Sequence, residues 1–150
     1  MNFLICSVTA ILLTVLQTHL PAIAGLRLEF LPAVVAYGAL TYRRPLWLPL
    51  VVGFTQDALS ASPFGLSALA YGIAATTLAS LRETFDRDLP WVQMGAGAFA
   101  STVASCAACC VVGFGGGAPL KLLLLAAISA VVTPMLFIVL DYIRYRARTA

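Results

Sequence analysis

Charge is what this sequence has least of. Lys and Arg number 9, Asp and Glu 6, and His occurs once, so charged residues make up 10% of the 150. A water-soluble domain carries about 25%, and the shortfall leaves too few polar side chains to coat a water-facing surface. The net charge of +3 is small, and no basic face or aromatic-interleaved patch accompanies it, which argues against nucleic acid as a partner. Catalytic pairs are missing as well: His19 and Asp57 are the best candidates for base chemistry, and they lie on separate predicted helices. Cys6, Cys106, Cys109 and Cys110 sit in apolar runs with no His or acid beside them, so they read as small buried hydrophobes rather than ligands. The glycine run Gly113–Gly117 lacks the Gly-Lys-Ser/Thr ending of a phosphate cradle and reads as a flexible turn. The expectation is a protein with no catalytic residue, no metal and no cofactor.

What is present is hydrocarbon. Hydrophobic residues make up 61% of the chain, and the mean hydropathy is +0.98. Crossing ~30 Å of lipid takes about 20 helical residues. Charges and Pro/Gly breaks divide the chain into six predicted spans, 2–20, 28–42, 45–61, 63–81, 90–112 and 120–143. The fold class expected is therefore an all-α integral membrane protein, a single transmembrane domain over 1–150. The run ending Ala22-Ile23-Ala24 imitates a signal-peptidase site, but no Lys or Arg precedes it and the stretch is long enough to span. It reads as a retained first helix. The second span is short, and would have to thin the bilayer or continue through Arg27–Glu29.

Counting cations on alternating sides sets the orientation. Arg43, Arg44, Arg82, Arg87, Arg144, Arg146 and Arg148 fall on one side with the N-terminus, Arg27 and Lys121 on the other. Both termini are then cytoplasmic. Tyr42, Trp47, Trp91, Tyr142 and Tyr145 lie beside the cytoplasmic charges, as an interfacial aromatic belt should. The outer connections, 20–29, 60–64 and 113–120, are too short to fold as domains. The mixed-sign segment Arg82–Asp88 reads as a solvated cytoplasmic connection open to docking, and Tyr142–Arg148 as an anchor to anionic headgroups.

Two features stand out from the hydrocarbon. Small residues recur every fourth position in the fourth span (Ala68, Gly72, Thr76, Ser80) and in the fifth (Gly97, Ser101, Ser105, Cys109). Such stripes let backbones approach closely in lipid, either within the bundle or against a partner helix. The second feature is Asp57, about 17 Å from the start of its span at helical rise. A buried acid in a membrane span faces the bundle interior or a wet cavity. Ser62 is an N-cap candidate and Pro63 a first helical residue, so Asp57 could receive the free N–H groups of the next helix. The other reading is a proton or cation site of a transporter.

The stretch Asp57-Ala-Leu-Ser-Ala-Ser-Pro-Phe-Gly-Leu66, with Arg27-Leu-Glu-Phe-Leu31 and the Tyr37…Arg43-Arg44-Pro45 connection, resembles the MreD family of rod shape-determining proteins. That family carries an Asp-bearing third helix, a Ser-x-Ser/Gly-Pro-x-Gly turn and an apolar fourth helix. In this chain the turn motif would be Asp57, Ser60, Ser62, Pro63 and Gly65, while Gly72, Thr76, Gly97, Ser101 and Ser105 are the candidates for helix packing or a partner. The resemblance implies a multi-pass protein of the bacterial inner membrane in the cell-elongation complex. It would bind MreC, a protein with one transmembrane helix, and work with MreB, RodA and the RodA-associated transpeptidase in peptidoglycan synthesis. It also implies a fold like that of the substrate-binding S-components of energy-coupling-factor transporters. The competing expectation is a small-solute-binding or transporter subunit of that type, motivated by Gln56, Asp57, Ser60 and Ser62 near the outer face.

Overall fold

The computed structural model describes residues 2–19, 30–42, 46–59, 63–112 and 118–149. Ser60, Ser62, the Arg27–Glu29 approach, Arg43, Arg44 and the glycine run Gly113–Gly117 lie outside the described residues. The described chain is all-helical: α1 (Asn2–His19), α2 (Leu31–Thr41), α3 (Trp47–Leu59), α4 (Leu66–Leu81), α5 (Pro90–Val112) and α6 (Ala118–Thr149). Each falls inside or over one predicted span, because the Pro and Gly breaks that bound most of the spans also end a helix.

Among the described residues two helices are long and apolar enough to cross a membrane, judged by length and composition, Pro90–Val111 and Pro119–Arg146, so the six helices expected are found but six membrane spans are not supported. α6 runs past the expected end at 143 to Thr149. Nothing in Tyr142-Ile-Arg-Tyr-Arg-Ala-Arg148 breaks a helix, and charge ends a span in lipid without ending the helix itself. Pro134 sits inside α6, one residue after the buried Thr133.

The topology is a ring around one helix. α1 packs on α3, α3 on α4, α4 on α5, α5 on α6, and α6 closes back on α1 through the thinnest of these contacts. α2 touches all five. Leu31 through Leu40 are buried without exception, as befits a helix that is apolar on every side. Its small residues Ala33, Ala36, Gly38 and Ala39 let five neighbours approach one axis. Close van der Waals contact between small residues is what brings these helices together.

This corrects the reading of the second span. α2 has eleven residues, about 16 Å of helix, and begins at Leu31 rather than 28. Its flanks are covered by protein on every side.

Polar tethers fix both ends of α2. At its start the Phe30 N–H donates to Gln17 Oε1 of α1 at 3.3 Å. At its end Arg82 Nη1 donates to the Tyr42 carbonyl at 3.0 Å, placing a cation where the helix dipole is negative. The Tyr37 hydroxyl donates to Asp141 Oδ1 of α6 at 2.8 Å, and the Tyr37 ring meets Phe137 edge-on at 4.9 Å. These bonds gather Arg82 and the Arg144–Arg146 end of α6 at one end of the bundle. Tyr37→Phe keeps the ring and removes the bond to the exposed Asp141; it is expected to cost about 1 kcal/mol, read as a lower unfolding midpoint in detergent.

Outside the ring, large apolar side chains are exposed on every peripheral helix. They include Leu12 on α1, Phe54 on α3, Leu69 on α4, Phe99 on α5 and Ile138 on α6. A water-soluble monomer rarely exposes one contiguous patch above a few hundred Å², and here the apolar surface encircles the molecule.

Candidate functional site

The α3–α4 corner is built on one glycine and one acid. Gly53 and Asp57 are four residues apart, so both face α4. A Cβ placed on Gly53 would fall onto the Cα and backbone N of Ala68, and 2.8 Å from its Cβ. The two helices therefore touch backbone to backbone. That approach carries the Asp57 carboxylate, 4% exposed, up to the start of α4.

There it meets bare N–H groups. Gly65 N–H donates to Asp57 Oδ2 at 2.7 Å, and Ser67 N–H donates to both oxygens at 3.2 Å. The first turn of a helix has no internal partners for these donors, and its dipole favours an anion. Asp57 thus acts as an N-cap supplied by the preceding helix. Phe54 and Phe64 stack outside the corner, 5.2 Å between centroids.

The expected cap differs in its details. α4 starts at Leu66 with Gly65 as N-cap, so Pro63 precedes the helix and is not its first residue. Gly65 has φ 95°, and the Leu66 N–H donates to the Pro63 carbonyl at 3.2 Å. This is a turn whose third position needs positive φ, which glycine adopts without strain. The turn aims the N–H groups on either side of Leu66, those of Gly65 and Ser67, at Asp57, leaving α4 no need of a serine cap.

The small-residue stripes divide. On α5, Gly97 is covered by α6: an added Cβ would coincide with Thr133 Oγ1 and lie 2.7 Å from its Cβ. Ser129 Oγ donates to the Gly97 carbonyl at 3.0 Å, and Thr133 Oγ1 to the Ser129 carbonyl at 2.6 Å. Ser101 is buried beside this seam and Ser105 half-buried. On α4, Ala68 and Gly72 are buried but Thr76 and Ser80 are exposed. Their hydroxyls donate to carbonyls of their own helix, Thr76 to Gly72 at 3.0 Å and Ser80 to Thr76 at 3.0 Å. The face of α4 turned to the core is instead Tyr71, Ala75 and Leu78.

Cys106 and Cys110 are exposed rather than buried. Ala104 is the last α5 residue packed against the core cluster, and beyond it α5 extends past the short central helix. Among the described residues no group of three or more His, Cys, Asp or Glu could hold a metal ion. The α1 helix ends at His19.

Sequence reasoning missed two sites. Asp141, paired with Tyr37, was hidden by its distance of 104 residues along the chain. The other is a cavity of about 520 Å³ between the ends of α4 and α5, lined by apolar side chains; its signal was the run of large apolar residues interrupted by Gly95. No family model, curated protein or solved structure matches the chain.

Proposed function

We propose that this chain is a non-enzymatic, multi-pass component of the bacterial inner membrane, working in the cell-elongation complex as the MreD family does. All six helices cross or fill the membrane, with both termini cytoplasmic, in an arrangement like that of the transporter S-components. The chain binds the single-span protein MreC and supports peptidoglycan synthesis alongside MreB, RodA and its transpeptidase.

The observation that carries this reading is the state of Asp57. Both carboxylate oxygens are taken up by backbone donors at the α3–α4 corner, where the resemblance to the family is strongest. An acid spent on a turn is a structural part, and the solute-binding alternative loses the group that motivated it. Further support comes from the belt of exposed apolar side chains on the five ring helices. The gathering of Arg82 and the C-terminal arginines at one end fits the bias of cytoplasmic charge.

The test is purification of the affinity-tagged chain from bacterial inner membranes in mild detergent. MreC is expected to copurify in near-constant ratio, with no small polar solute retained. A chain that emerges alone, or with a bound polar solute, would overturn the proposal.

A further inference from the structure

The cavity between α4 and α5 is a groove with a base, two walls and a charged rim. Leu40 of the central helix lies at its base, Leu78 and Leu81 form one wall, and Trp91, Gly95 and Phe99 form the other. The last three are spaced i, i+4, i+8 along α5, a stripe about 12 Å long. The connection 82–89 holds the helix ends apart, so the wedge stays open where a tight hairpin would close it.

Gly95 is the telling residue. Glycine inside a helix costs about 1 kcal/mol relative to alanine; at Gly53 and Gly97 close contact with a neighbouring helix offsets that cost, whereas Gly72 and Gly95 are both uncovered, and of these two Gly95 lies in the groove. Over Gly95 no atom lies within 4 Å of a Cβ position. The groove therefore contains a bare backbone surface with nothing on it, flanked by the exposed rings of Trp91 and Phe85. Small residues beside aromatic anchors are what a membrane helix needs for close approach.

The rim selects the sign of the occupant. Glu83, Asp86 and Asp88 are exposed, while Arg82 and Arg87 are half-buried. Arg82 is committed to the Tyr42 carbonyl, and Arg87 lies 3.4 Å from Asp88. Three acids against two arginines leave the segment net negative, with the acids outermost. The acids are the more exposed charges of this connection, so Lys and Arg at the cytoplasmic end of a spanning helix are drawn to it.

We infer that the α4–α5 groove, with Gly95 in its wall and Glu83, Asp86 and Asp88 at its rim, docks the transmembrane helix of a single-span partner bearing basic residues at its cytoplasmic end. This rests on the partner-binding reading above and assigns it a place.

The experiment puts a photo-crosslinking side chain at Leu81, on the groove wall, or at Ile138, on the far surface of α6, in the full chain in native membranes. The adducts are sequenced. From position 81 the expected adduct is a protein segment of about 20 apolar residues ending in Lys or Arg; from 138 that segment is absent. Gly95→Leu should reduce the adduct at least about tenfold, the scale of a lost hot spot, with the detergent melting temperature of the chain not lowered. Replacing Glu83, Asp86 and Asp88 together by Lys should reduce it about threefold or more.

Adducts from position 81 to lipid alone, or to a second copy of this chain, would overturn the inference. So would full crosslinking in Gly95→Leu. If MreC copurifies but the groove gives no adduct, only the groove assignment falls; if no partner is recovered by either route, the functional proposal falls with it.

Discussion

Gly97→Leu is expected to destabilise the bundle by about 3 kcal/mol, enough to deplete folded protein in membranes. The first added atom already has no room. It would coincide with Thr133 Oγ1, and turning the threonine does not clear it, because Thr133 Cβ lies 2.7 Å away. Thr133 is fully buried, and its hydroxyl is held by the Ser129 carbonyl. α5 and α6 must then separate, which also breaks the bond from Ser129 to the Gly97 carbonyl. Leucine's helix propensity returns only about 1 kcal/mol, so packing decides the sign. The matched control is Gly95→Leu, two residues away, where the same side chain enters open space and propensity alone acts. Detergent unfolding of both variants, followed by loss of helical circular dichroism, should show one large loss and one unchanged or slightly raised midpoint. Equal midpoints would mean that the α5–α6 seam is not the tight contact described above.

Much of this fold was legible in the sequence, and the reason is chemical. In a chain with 10% charge, Pro, Gly runs and charges mark most places where a helix stops, so α1 to α5 could be bounded to within a few residues, while α6 runs through Pro134 and past 143 to Thr149. Asp57 was legible for the same reason. A lone acid in an apolar run must find donors, and a Pro-x-Gly turn eight residues on exposes the N–H groups of a new helix. The choice of cap between Ser62, Pro63 and Gly65 was not legible, because it depended on the φ of one residue.

The ring order was hidden more deeply. Apolar periodicity reveals which face of a helix is inside only when the other face is polar; in a chain this apolar both faces read alike, and α2 differs from α4 in having no exposed side at all. The central place of α2 follows from its length and its small residues, which the sequence reading took as a problem of bilayer thickness. The Tyr37–Asp141 bond joins residues 104 apart, a pairing no local pattern encodes. The cysteines were read as buried from composition, whereas the reach of α5 beyond α2 leaves two of them on the outer surface.

Asp57→Ala is expected to cost about 3 kcal/mol, and the order Ala worse than Asn should separate the two readings of this acid. Removing the carboxylate strands the N–H groups of Gly65 and Ser67 in a site where Asp57 was 4% exposed. An orphaned buried donor costs about 1–3 kcal/mol, and bonds to a charged acceptor lie at the upper end. Asn keeps one oxygen for the short bond from Gly65, but it loses the charge that the helix terminus favours. Its amide also points donors toward the Ser67 N–H, so about 1–2 kcal/mol should still be lost. The measurement is the unfolding midpoint of the purified chain in detergent, taken beside copurification of the partner. A turn clamp requires stability and partner recovery to fall together in proportion, Ala below Asn below wild type. A transport site requires the opposite dissociation: Asn as stable as Asp, with solute or proton movement abolished, since the carboxylate would then serve a passing ligand and contribute nothing to the corner where α4 begins.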